Sequence, residues 1–105
     1  MSIESLRSRV SQLQKEKARL ESSLSREQEN ARKKQAEINQ VNRSITKNTS
    51  LSTLQSKQRQ IEGKERQLSG YQKKAADLTH NVACKNAEIL RKLDELEKAE
   101  VQAQR

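Results

Sequence analysis

The sequence predicts an all-α protein, an antiparallel two-helix coiled-coil hairpin, from three observations. Apolar residues are too few for a globular core: 30% of the 105 residues are hydrophobic and 34% are charged, where an ordinary domain is close to half apolar. Those present recur with a seven-residue period along two long segments, the pattern of a coiled-coil seam rather than of a disordered chain. Between the segments the repeat slips by one residue within TKNTSLSTLQSK, residues 46–57. One long, nearly continuous helix in a parallel coiled-coil dimer is the alternative, with the slip absorbed by local over- or underwinding.

Helix 1 is expected over about 3–46. Ile3, Leu6, Val10, Leu13, Leu20, Leu24, Ala31, Ile38, Val41 and Ile45 fit an alternation of three and four. With Ile3 as position a, Lys17, Glu27 and Lys34 interrupt the stripe and Asn48 ends it. The seam is therefore apolar at both ends and polar at its waist.

The turn is expected at about 47–52. Thr46, Asn48, Thr49, Ser50, Ser52 and Thr53 have side chains that compete for backbone hydrogen bonds and favour caps and turns. Ser52 and Gln55 have the spacing of a capping box, Ser52 as N-cap and Gln55 at N3, which starts the next helix near residue 53.

Helix 2 is expected over about 53–103. Leu54, Ile61, Leu68, Ala75, Val82, Ile89, Leu96 and Ala103 recur every seven residues without a miss. With these as d, the a row from Leu51 and Gln58 to Leu93 and Glu100 is mostly polar. Tyr71 and Leu78 fall at g, and Ala76, Ala83 and Leu90 at e, wider than one partner helix uses. Tyr71, Leu78, Ala83 and Leu90 are accordingly expected to form a self-association face. On this view Leu78→Lys weakens self-association and spares the hairpin, whereas Leu68→Lys disrupts the seam.

The hairpin register follows from the two stripes. If facing residues have numbers adding to 99, Ile3 meets Leu96, Val10 meets Ile89, Lys17 meets Val82, Leu24 meets Ala75, Ala31 meets Leu68, Ile38 meets Ile61 and Ile45 meets Leu54. Six of those seven layers are apolar on both sides, and Lys34 meets Glu65 as an opposite-charge pair. Leu6, opposite Leu93, completes the expected core. The pair of helices alone is only marginally able to offset the entropy of ordering so many residues, which favours a homo-oligomer formed through helix 2.

The formal charge is +8 and the isoelectric point about 9.9. Residues 1–50 carry 11 Lys/Arg and 6 Asp/Glu, and residues 51–105 carry 11 and 8, so charge is spread along the chain as on a solvated helix surface. The one tight basic run, Arg32-Lys33-Lys34, lies downstream of the first heptads, whereas a DNA-reading basic region precedes its zipper. No specific nucleic-acid recognition is expected, and salt-dependent binding to polyanions is what this charge supports. No stretch reads as a transmembrane segment or a secretory signal. The single cysteine, Cys84, fits a reducing compartment, so a cytoplasmic location is expected.

Little in the sequence suggests chemistry. His80 and Cys84 are four apart, but a zinc site draws on three or four ligands, so no metal site and no cofactor are expected. Ser44-Ile45-Thr46-Lys47 matches a serine-acylation motif without its companion motifs. Gly63 and Gly70, seven apart, read as exposed helix glycines. No catalytic residue is assigned.

Residues 50–100, SLSTLQSKQRQIEGKERQLSGYQKKAADLTHNVACKNAEILRKLDELEKAE, resemble the N-terminal coiled coil of bacterial Toll/interleukin-1 receptor (TIR) domain proteins. The likeness is carried by the Ser52-Thr53-Leu54 and Ser56-Lys57 entry and by the heptads through Gln72-Lys73-Lys74-Ala75 and Ala76-Asp77-Leu78. The resemblance implies a non-catalytic segment that oligomerises or positions a neighbouring TIR domain, itself NAD+-cleaving or signalling. That domain's catalytic Glu has no counterpart in these residues. Three readings of function stand at this point: an assembly module, an elongated structural spacer, and a basic helix binding polyanions.

Overall fold

The structure, a computed structural model, describes residues 2–105. It is all-α, with two helices packed against each other as a hairpin: α1, Ile3–Arg43, and α2, Leu51–Ala103. The chain divides into two compact units. Leu24–Ala76 forms the turn unit, and Met1–Ser23 with Asp77–Arg105 forms the terminal unit.

Both helices begin in the same way. The hydroxyl of Ser2 accepts the Ser5 N–H at 3.1 Å and donates to the Ser5 hydroxyl at 2.8 Å. At α2 the hydroxyl of Ser50 accepts the Thr53 N–H at 3.2 Å and donates to the Thr53 hydroxyl at 2.8 Å. Each serine satisfies an orphan donor of a first turn. The expected cap at Ser52 with Gln55 is thereby corrected. Ser50 is the N-cap and Ser52 lies inside the first turn, because Ser50 is the residue whose carbonyl already receives the Leu54 N–H at 2.8 Å.

The turn occupies residues 44–50, earlier than the expected 47–52. Thr46 and Thr49 close it between themselves. The Thr49 N–H donates to the Thr46 carbonyl at 3.1 Å, and the Thr46 N–H donates to the Thr49 hydroxyl at 2.8 Å. No described residue has positive φ, so the turn needs neither glycine nor proline. Lys57 reaches across from α2 and donates to the Ser44 carbonyl and hydroxyl, both at 2.9 Å. Its ammonium thus meets the carbonyl-rich end of α1, where a cation is favoured.

In the terminal unit, Leu6, Val10, Leu13 and Ile89 are buried, with Leu13 fully enclosed. Ile3, Leu20, Leu78, Val82 and Leu96 are half-buried. In the turn unit Ile38 is buried, and Leu24, Ala31, Val41, Ile45, Leu54, Ile61, Leu68, Tyr71 and Ala75 are half-buried. Partial burial is what a two-helix seam allows, since each side chain has one neighbour helix and open flanks.

The second row of the α2 seam is not the expected one. Leu51 is 71% exposed and Leu93 40%, and Gln58, Glu65, Gln72, Thr79 and Asn86 are also exposed. The half-buried row is instead Lys57, Lys64, Tyr71, Leu78, Lys85, Lys92 and Ala99. Its lysines touch α1: Lys64 pairs with Glu37 at 3.2 Å and Lys85 with Glu16 at 2.9 Å. The numbers of Glu37 and Lys64, of Glu16 and Lys85, and of Ser44 and Lys57 each add to 101. The register is therefore shifted by about two residues from the expected 99. The long methylene stems of lysine cover the seam while the ammonium groups reach its edge, so charged residues stand where sequence reasoning places them in solvent.

The polar waist is satisfied unevenly. Lys17 donates to the Asn86 side chain at 3.1 Å in the terminal unit. In the turn unit Lys34 pairs with Glu37 at 3.0 Å, which corrects the expected pairing with Glu65. One carboxylate oxygen of Glu27 is out of solvent without a hydrogen-bond partner, an arrangement that costs stability.

Candidate functional site

A second row of α2 runs along the outer edge of the seam in the terminal unit. Ala83, Asn86, Leu90, Leu93 and Glu97 alternate in steps of three and four, and Val101 continues the row one turn further. Leu90 is 59% exposed and Val101 47%, next to Leu93 at the edge of the seam. Three large apolar side chains are thus exposed on the flank of α2, beside the seam residues Ile89 and Leu96. Leu51, the remaining large exposed apolar residue among those described, stands apart at the first position of α2.

The expected self-association face divides. Ala83 and Leu90 lie on this outer row and are exposed. Tyr71 and Leu78 do not: both are half-buried on the row of Lys64 and Lys85, which touch α1. This is a correction, and its cause is the register. A partner helix packs between the Leu54–Leu96 row and the row three residues after it, so Tyr71 and Leu78 turn inward. Leu93 and Val101 enter the face in their place.

The surrounding electrostatics are local ion pairs. Arg7 pairs with Glu100 at 3.1 Å, Arg9 with Glu88 at 3.8 Å, Lys92 with Glu95 at 3.3 Å and Lys98 with Asp94 at 3.0 Å. The Lys85 ammonium, paired at 2.9 Å, holds the Glu16 carboxyl below the ordinary carboxylate range, against a smaller opposing effect of burial. The Glu16 carboxylate in turn raises Lys85. The hydrogen bond to Asp94 raises Lys98 on the outer edge.

The Sγ of Cys84 and Nε2 of His80 are 3.5 Å apart, and Cys84 is exposed. Among the described residues no group of three or more His, Cys, Asp or Glu converges as a metal site would require. Ser44, of the acylation-like motif, is engaged by Lys57 and by the Val41 carbonyl as part of the turn. No described helix is long and apolar enough to cross a membrane.

No known family, curated protein or solved structure matches the chain.

Proposed function

We propose that the hairpin is a non-catalytic assembly module that associates with a second copy of itself through the outer row of α2. The observation that carries this reading is the exposure of Leu90, Leu93 and Val101 along one helix face. Single exposed apolar residues are ordinary, but Leu90 and Leu93 are three apart and Val101 lies eight beyond Leu93, past Glu97, spacings that a helix brings to one side.

A second copy is the occupant that the charge favours. The terminal unit holds 10 Lys/Arg and 9 Asp/Glu, net +1, and the turn unit 12 and 5, net +7. Two terminal units meet with little repulsion, whereas two turn units repel. The resemblance of residues 50–100 to the coiled coil of bacterial TIR proteins names what the module would bring together: TIR domains, NAD+-cleaving or signalling. In this reading any such activity belongs to that neighbouring domain and none to the helices.

Sedimentation equilibrium of the full chain tests the proposal. The expected result is a dimer or larger species at micromolar concentration that becomes monomeric in the double variant Leu90→Lys, Leu93→Lys with helicity unchanged. A wild-type chain that stays monomeric, or a double variant that still associates, overturns it.

A further inference from the structure

The sequence halves differ little in charge, but folding does not keep them apart. The turn brings the basic end of α1 against the basic start of α2, so 7 of the 8 net positive charges fall in the turn unit. Few of these cations are neutralised there. Arg32 pairs with Glu29, and Lys34 and Lys64 share Glu37. Arg59, Arg66 and Lys73 make no ion pair and are exposed.

These three stand in line. They recur every seven residues, two positions after Lys57, Lys64 and Tyr71 of the seam, which places them on the side of α2 away from α1. At 1.5 Å rise per residue, successive members are about 10.5 Å apart. Gly63 and Gly70 interleave with them, giving the steps Arg59, Gly63, Arg66, Gly70, Lys73. A Cβ at either glycine would meet nothing within 4 Å, so no internal contact requires them, and each weakens the helix by about 1 kcal/mol relative to Ala. Gly63 sits in an open surface hollow with Arg59, Gln60, Lys64 and Gln67. The face is a cationic line over bare backbone, edged by Gln60 and Gln67 on one side and by Glu62 and Ser69 on the other, so one carboxylate stands among the three cations.

We propose that this face of the turn unit binds the phosphate backbone of duplex nucleic acid without reading its sequence. A duplex presents a stiff, closely spaced line of charge, and Arg and glutamine side chains with open backbone are the groups that contact phosphate and sugar. A bilayer surface fits less well. Every exposed side chain from Gln55 to Ala76 is polar, glycine or alanine, with no aromatic or large apolar residue to enter the interface.

The test is fluorescence anisotropy of the full chain with a labelled duplex of about 25 base pairs, titrated at several salt concentrations between roughly 50 and 200 mM. The triple variant Arg59→Gln, Arg66→Gln, Lys73→Gln is expected to flatten the plot of log affinity against log salt by about 2.7, at about 0.9 per phosphate contact. A control of equal charge change, Lys15→Gln, Arg19→Gln, Arg91→Gln, is expected to change the slope by less than about 1. Gly63→Gln with Gly70→Gln is expected to raise helicity and weaken DNA binding together, a combination that loss of folding does not produce. Absence of duplex binding in the wild type, or equal loss in both triple variants, overturns the proposal. So does binding to phosphatidylserine vesicles alone that the first triple variant abolishes, which would assign the face to a membrane surface. The Leu90→Lys, Leu93→Lys variant is expected to keep the salt slope per chain, so failure of the assembly reading is read separately.

Discussion

Leu13 is the side chain whose loss is felt most, since it is 0% exposed in a seam where most neighbours keep one open flank. Leu13→Ala is expected to cost roughly 2–5 kcal/mol in chemical denaturation. The two serines at the start of α2 give a sharper contrast. Ser50→Ala removes the acceptor of the Thr53 N–H and is expected to cost about 1 kcal/mol, whereas Ser52→Ala stays within about 0.5 kcal/mol as a surface change. A larger effect at Ser52 would restore the cap expected from the capping-box spacing. Glu27→Leu acts in the other direction. It removes a buried oxygen without a partner and adds apolar area to the seam, so it is expected to stabilise the hairpin by about 1 kcal/mol or more.

At the scale of the helices, the fold class was legible in the sequence and the register was not. The Leu54 to Leu96 stripe marks one row of α2 by its unbroken seven-residue period. The second row was hidden because lysine reads as solvent-exposed. The row after the stripe holds Lys57, Lys64, Lys85 and Lys92 beside Tyr71 and Leu78, whereas the row before it holds Leu51 and Leu93. Apolar content alone does not choose between them. A usable signal lay in the charges: Glu16 and Glu37 are separated by the same 21 residues as Lys64 and Lys85, so one antiparallel register pairs both. The corrected register changes an expected outcome. Leu78→Lys is now expected to destabilise the hairpin as Leu68→Lys does, with the loss read as a lower thermal midpoint of the far-ultraviolet signal.

For the molecule as a whole, the ion pairs along the seam, within α1 and across to α2, set a pH window. Glu37 is held below the ordinary 4.5 by hydrogen bonds from Lys34 and then Lys64, and Glu16 by Lys85. Their contribution is complete above 4.5, the value in the unfolded chain, and is lost as pH falls through the lower folded values. Lys85 is raised above 10.5 by Glu16, so its contribution is complete below 10.5 and is lost as pH climbs through the folded value. The thermal midpoint is expected to be flat between these limits and to fall on both sides. The double variant Glu16→Gln, Glu37→Gln is expected to show a shallower fall on the acid side. A wild-type profile that keeps rising below pH 4 would contradict the pairing.

The contact from Lys57 to Ser44 has a consequence for how the hairpin forms. It joins residues only 13 apart, while Lys64 with Glu37 spans 27, Lys17 with Asn86 spans 69 and Arg7 with Glu100 spans 93. Closing the shortest loop first lowers the entropic cost of every later one, so assembly propagates as a zipper from residues 44–57 toward the chain ends. Substitutions at Leu54 and Ile45 should then slow folding, and those at Leu6 and Leu96 should speed unfolding. A protein that closes in this order opens in reverse, and amide hydrogen exchange should be fastest near residues 3 and 103 and slowest beside the lysine that ties the two helices together.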